Sequence, residues 1–537
     1  MPEKQPIYIL PENINRIIGN DAQRNNILAA RLVADIIKTT LGPKGMDKML
    51  VDDMGDIVIT NDGVTILEEM NIEHPAAKMM VEIAKTQEKE VGDGTTTAVM
   101  LAGKLLENAE KLLDKKIHPT VITKGYNLAA EKSIEILNNI ATRVTTDDEF
   151  TLRQVAITSM TGKSAENFKE RFADIVVNSV KQIEDYGKVN LENIKIEKLK
   201  GNRIKDTELI SGIVLDSEKI NIEMPSKIDN ARIALLDFPL ELKNPEIETK
   251  ISVSTPEQLS SFIESEEREL KKMIEKIKLS GTNAIFCQKG IDDIAQYYLT
   301  KAKIYASRRV SKSDMEKLAM ATGGRIISNL NELSSDDFGS AKSIEEIKEG
   351  NKHLTYVKGC INPKAISIII RGGSDHVLDE TERAIKDGLG DIASVLKDGM
   401  IVAGGGAVEI ELARRLREFS QGLSGREQLA VEEFANALES IPITLAENAG
   451  LDPIDILTEL KATHDDNKKD FGINLFTNKV EDTKLAGIIE PLKVKTQAIS
   501  SASEVAIMII RIDDVISAGK NSHRTGKGMP SNFEGFD

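Results

Sequence analysis

The chain has 537 residues, 40% hydrophobic and 29% charged, with a formal net charge of −16. At about 150 residues per domain, that length suits three or four domains, and the apolar and charged balance suits a globular protein and not a disordered or fibrous one. The acidic balance, the lack of Trp and an aromatic content of 4% argue against nucleic-acid binding, which needs a basic patch or stacking platforms.

Residues 1–10 lack the charged-then-apolar layout of a secretory signal. No apolar run approaches the roughly 18 residues of a membrane-spanning helix. Cys287 and Cys360 stand far apart outside any CxxC spacing, so neither a disulfide framework nor a cysteine zinc site is expected. A reducing cytoplasm is the default compartment.

Ile27, Leu28, Leu32, Val33, Ile36 and Ile37 recur at helical spacing and predict an amphipathic helix over 25–38. It stops at Leu41-Gly42-Pro43-Lys44-Gly45. Residues 49–51 and 57–60 flank Asp-Met-Gly-Asp and read as a hairpin, and Asn61-Asp62-Gly63 makes another turn. Gly92-Asp93-Gly94-Thr95-Thr96-Thr97 separates two helical stretches, the second running over 98–113.

In the middle of the chain, 232–236, 284–288, 324–328 and 365–371 look like short buried strands between helical patterns, which suggests an α/β module. Thr255-Pro256-Glu257-Gln258 is a capping box with Pro at the first helical position. Its helix runs to about Leu279 and ends at Ser280-Gly281. Leu259, Phe262, Ile263, Leu270, Met273, Ile274 and Ile277 give it an apolar stripe beside dense Glu and Lys. It reads as a surface helix with one core face or as a protruding lid. Ala403-Gly404-Gly405-Gly406-Ala407 precedes a helix over 408–419, and the chain from Ser517 onward has the composition of a flexible tail.

The loop 92–97 carries the strongest chemical signal. Its glycines let backbone N–H groups approach an anion, and a helix N-terminus adds about half a positive charge. Asp93, between two glycines, is placed to reach a hard cation such as Mg²⁺ bridging phosphates. The alternative is that Asp93 or Thr95 simply caps a helix. The glycine loops at 41–45 and 404–406 also permit close backbone approach. Gly162-Lys163-Ser164 resembles the end of a Walker A loop, but Ile157 stands where its first glycine is required. Gly404–Gly406 is not GxGxxG, because Glu409 takes the last glycine's place. No GxSxG or HExxH occurs.

Together these segments resemble one family. Thr40-Leu41-Gly42-Pro43-Lys44-Gly45-Met46-Asp47-Lys48 followed by Asn61-Asp62-Gly63-Val64-Thr65-Ile66-Leu67 resembles the chaperonin N-terminal signature. Gly92–Thr97 is similar to its GDGTT motif, and Gly404-Gly405-Gly406-Ala407 with Val494-Lys495-Thr496-Gln497-Ala498 to its C-terminal nucleotide elements. The charged helix in 244–281 resembles the helical protrusion of group II (archaeal thermosome and TCP-1) chaperonins.

The resemblance implies a multi-domain α and α/β subunit. A mainly helical, discontinuous equatorial ATPase domain would span 1–147 and 404–516, and a small intermediate α/β domain 148–216 and 371–403. An apical α/β domain over 217–370 would carry the lid protrusion at about 244–281, leaving a tail at 517–537. The implied function is ATP-dependent folding of non-native proteins inside a stacked double ring of chaperonin subunits, closed without a separate co-chaperonin. Thr40, Leu41, Gly42, Pro43, Gly63, Gly94, Thr95, Thr96 and Thr97 would cradle the phosphates of ATP or ADP, and Asp93 would hold Mg²⁺. Lys163 would sense the γ-phosphate. Asp62 and Asp387 would position and activate water, with Gly405, Gly406, Glu490 and Lys495 around the ribose and base. From the residues alone, Asp387 is an ordinary surface acid on a helical stretch, 380–396. A phosphotransferase acting on a small metabolite and a passive holdase are the alternatives from other classes. The Gly-Met repeats that often end this family are missing from 517–537.

Overall fold

The computed structural model describes residues 14–518, apart from 53, 164–165, 186, 242–255, 331–333, 351 and 362. Thr255 of the capping box, the tail from 519 and the side chains of Leu259, Phe262 and Ile263 lie outside the described residues.

The helix Thr95–Asp114 buries Ala98, Val99, Met100, Leu101, Ala102, Leu105, Leu106, Ala109 and Leu112. A helix apolar on so many sides must lie inside a bundle. It packs against Asn20–Ile37 and Pro75–Glu90, and against Glu427–Leu438 and Leu492–Ile510 from the other end of the chain. One hydrophobic cluster therefore joins residues 27–140 to 402–510. Ile14–Ile18 pairs antiparallel with Asp514–Ala518. Leu28 and Leu32, counted in the first helix's stripe, are exposed. The face that packs is Ile27, Ala30, Val33, Ala34 and Ile37, where alanines permit close helix approach.

A second cluster gathers the helices Glu149–Met160, Lys169–Ile183 and Asp375–Asp398 around Ile366–Gly372. That strand pairs parallel with Ile194–Lys200 and antiparallel with Glu208–Ile210. The expectation that 365–371 belongs to the central α/β module is thereby corrected. A short all-apolar run marks a buried strand but carries no information about its partners.

The central module is a seven-stranded mixed sheet. Its strand Lys227–Leu236 sends Ile233 and Leu235 into one core and Ala234 and Leu236 into the other. Ala284–Cys287 alternates the same way, as period-two side chains must when both faces are covered. Gly212–Asp216 joins this sheet through Lys352–Lys358, so a boundary after 216 falls beyond a strand of the module, and one after 370 cuts Ile366–Gly372. The helix Pro256–Leu279 packs its final turns on the sheet, with Leu270, Ile274 and Ile277 buried. Those turns are core, not protrusion.

Tyr126 and Phe434 join the two ends of the chain. The Tyr126 hydroxyl donates to the Leu105 carbonyl at 2.8 Å, and the rings meet edge-on at 5.6 Å between centroids. Phe434→Ala is expected to destabilise the helical body by about 3–5 kcal/mol, and Tyr126→Phe by about 1 kcal/mol. Calorimetric unfolding checks both; an unchanged Tm for Phe434→Ala would show that the two ends do not share a core.

Candidate functional site

The helix Thr95–Asp114 starts on Gly94, at φ 77° and ψ 15°, and no side chain caps it. Neither Asp93 nor Thr95 is the cap that the simpler alternative required. The first-turn N–H groups and the positive end of the helix are left for an external acceptor. Ala407–Gln421 begins in the same way, on Gly406 at φ 78° with no side-chain cap.

Both helix starts open onto one cavity of about 400 Å³. The loop after the first helix contributes Thr40, Leu41, Gly42 and Pro43, and the turn after the hairpin contributes Asp62 and Gly63. Asp93, Gly94, Thr95, Thr96 and Thr97 form a third side, with Lys163 and Asp387 beside them. Gly405, Gly406, Glu490 and Lys495 complete the lining. Every residue singled out from the sequence faces this one space.

Several local interactions hold the loops. The Gln87 amide donates to the Asp93 carbonyl at 2.8 Å and to the Val494 carbonyl at 3.2 Å, tying the glycine loop to the C-terminal helix. Asn61 Nδ2 donates to the Gly162 carbonyl at 3.1 Å, which brings the Lys163 loop to Asp62. Asp62 caps the helix Gly63–Glu69 through one oxygen, Oδ2, which accepts from the Thr65 amide at 2.9 Å and its hydroxyl at 2.6 Å. Gly390 meets the loop where a Cβ would lie 2.6 Å from the Val91 carbonyl and 3.3 Å from Gly92 Cα. Only glycine lets the helix Asp375–Asp398 come this close, and that approach delivers Asp387 and Asp391 to Asp93.

Asp387 is therefore not a surface acid: it is 7% exposed, and Asp391, one turn later, is 2% exposed. The second cluster covering one side of that helix and the glycine loop covering the other bury both acids. Lys163 pairs directly with Asp387 and lies 4.0 Å from Asp93. Burial pulls the Lys163 ammonium down, but Asp387, Asp93 and Asp62 outweigh it and hold it above its ordinary value. Burial pushes Asp387 up to about 7, against Lys163 and with help from Asp93 and Asp62. Burial likewise raises Glu88 to about 8, and Asp387, Asp62 and Asp93 add to it.

Glu88, Asp391, Gln87 and Glu409 escaped sequence reasoning, since isolated polar residues within helices give no local signal. Lys495 lies between Glu409 at 2.9 Å and Glu490 at 2.6 Å, all three in the cavity's far wall or behind it. Its ammonium is held by two carboxylates and serves first to fix Glu490.

Among the described residues, no group of three or more His, Cys, Asp or Glu is preassembled to hold a metal. Mg²⁺ needs none: it keeps several waters and takes one or two carboxylates plus substrate phosphates. Asp391 Oδ1 is buried without a hydrogen-bond partner, and the cavity gathers Asp62, Glu88, Asp93, Asp387 and Asp391 around Lys163. Such a donor set fits a divalent cation.

Residues 33–520 match the model of the TCP-1/cpn60 chaperonin family. The chain belongs to that family. It is 57% identical over 516 residues to a thermosome subunit of Methanopyrus kandleri, covering 95% of each chain. It is 56% identical to a thermosome beta subunit of Archaeoglobus fulgidus, covering 98% of this chain and 97% of that one. A thermosome subunit of Pyrococcus horikoshii is 55% identical, covering 96% and 95%. As a chaperonin of this kind the chain is an ATPase, an ATP-dependent chaperone that folds proteins in a double-ring cavity. The phosphotransferase and holdase alternatives are set aside.

Because the Gly390 contact is with backbone, no side chain can move to relieve a substitution there. Gly390→Ala is expected to displace Asp387 and cut ATP turnover about 10²-fold, the usual effect of an ångström-scale misplacement. Steady-state phosphate release checks this, and wild-type turnover would show that the close approach is dispensable.

Proposed function

We propose that this cavity is the Mg-ATP site that drives the chaperonin cycle. The observation that carries the proposal is the uncapped N-terminus of Thr95–Asp114, open to the same space as Lys163 and Asp387. Thr40, Leu41, Gly42, Pro43 and Gly63 would cradle the phosphates with Gly94, Thr95, Thr96 and Thr97, chiefly by backbone N–H groups. Gly405, Gly406 and the Glu490–Lys495 pair would border the ribose and base. Asp93 would hold Mg²⁺ with Asp391 close by, and the bound ion would neutralise charge on the phosphates.

Phosphoryl transfer asks mostly for positioning and charge neutralisation. Asp387, raised toward neutral pH, suits a general base, and Asp62 would orient the attacking water beside it. Lys163 is paired with Asp387. A γ-phosphate would compete for that ammonium and free the Asp387 carboxylate to accept the water's proton. Lys163 would in this way couple the presence of the γ-phosphate to activation of the base.

In the layout we infer, the helical body is the equatorial ATPase domain, the second body is the intermediate domain, and the seven-stranded sheet is the apical domain that meets non-native clients. Other chaperonin subunits complete a stacked double ring, and the two free, buried cysteines suit a cytoplasmic protein. The built-in lid, which would replace a separate co-chaperonin, is confined to about 244–266, since Leu270, Ile274 and Ile277 belong to the core.

Asp387→Ala is expected to keep ATP affinity in calorimetry and lose roughly 10²–10⁴-fold in hydrolysis; near-normal turnover refutes the assignment. Replacing 244–266 with a short linker should spare ATPase activity but leave a trapped client open to protease. A protected client in that variant would contradict the lid.

A further inference from the structure

We propose that a second cleft behind the nucleotide cavity is the exit for inorganic phosphate, with Lys85, Lys89, Arg383 and Lys386 as its cationic mouth. This rests on the reading above that the γ-phosphate end of ATP lies at Asp62 and Asp387.

The second cleft has a volume of about 440 Å³ and backs onto the first, because Asp62, Glu88 and Asp387 line both. Those three residues form a thin common wall. Beyond it, the cleft runs between Gly63–Glu69, which contributes Val64, Thr65 and Glu68, and two longer helices. Pro75–Glu90 places Lys85 and Lys89 along it, and Asp375–Asp398 places Arg383 and Lys386 opposite. Lys85, Lys89 and Lys386 are exposed, so the cleft reaches the subunit surface. None of the four cations lines the nucleotide cavity.

Charge gives the cleft a direction. Cleavage leaves a phosphate dianion beside the Asp62 carboxylate, which repels it, while the diphosphate still occupies the glycine loops. On the far side of the shared wall lie four cations, with Glu68 the only acid that lines the cleft beyond that wall, and such a cationic mouth draws in an anion. Lys85 and Lys89 are the least firmly held of the four. Lys85 meets Glu68 at 3.4 Å, Lys386 meets Glu382 at 2.8 Å, and Arg383 pairs with Glu380 within its own helix. Lys89 has no carboxylate at ion-pair distance among the described residues. The Lys85–Glu68 pair is exposed, so it is worth little and is readily exchanged for a phosphate, which accepts charge-assisted bonds on several oxygens.

The test uses the assembled full-length protein in a single turnover of ATP. Rapid quenching measures cleavage, and a fluorescent phosphate sensor measures release into solution. In K89E/K386E, cleavage should keep its wild-type rate while release slows about tenfold or more, visible as a lag that shortens as salt screens the reversed charges. Phosphate that follows cleavage as promptly as in the wild type overturns the exit. Should the reversal also depress cleavage, K89Q/K386Q decides: a lag with normal cleavage supports the exit, and no lag overturns it. Wild-type protein that cleaves no ATP would sink the nucleotide reading itself, before any variant is compared.

Discussion

The placement of one ammonium among buried carboxylates governs this molecule. Lys163 pairs with Asp387 and feels Asp93 and Asp62, while burial works against its charge. Removing charges from water is costly unless they are matched, and here the acids outnumber the cation facing them. The surplus of acids suits the site to a divalent ion, and burial makes Asp387 and Glu88 hold protons more tightly than they would in water. It also ensures that any change in what occupies the cavity redistributes the partners of Lys163. A site balanced in charge would be more stable and less responsive.

That imbalance is assembled from separate bodies, which is what gives it mechanical consequence. Asp93 and the uncapped helix belong to the helical body, whereas Lys163, between the first two helices of the second body, and Asp387, on its third, belong to the second. The second body in turn touches the seven-stranded sheet: Arg371 reaches Glu208 on its own sheet and Glu349 on the other, and Lys195 meets Asp314 at 2.6 Å. Nucleotide gripped by both sides of the cavity would shift the preferred angle between the bodies, and the ion pairs beyond would pass that shift on. Moving a two-state element from 1:99 to 99:1 takes about 5.5 kcal/mol of differential affinity. A double ring divides that requirement among many copies, each contributing a modest preference.

Much of the site was legible because its components are local. Glycine loops that end on helices announce themselves by composition, and Gly94 and Gly406 adopt the left-handed backbone that the motif requires. The strands of the central module were legible too, since alternating and continuous apolar runs report burial. Register and partnership were not. Ile366–Gly372 reads like any buried strand, and only long-range pairing with Ile194–Lys200 shows which sheet owns it. The helix Pro256–Leu279 carried two compatible meanings until its final turns were seen to pack on the sheet.

The sequence by itself determined the family, the glycine cradle and the helical character of both chain ends, because each depends on neighbours within a few residues. Tertiary structure alone decided that Asp387 and Asp391 are buried, that Glu88 and Gln87 belong to the site, and that a second cleft shares its wall. Burial and electrostatic coupling arise between residues hundreds of positions apart. No local pattern encodes the distance from Lys163 to Asp387; it exists only once Gly390 has let one helix settle against the loop at Gly92.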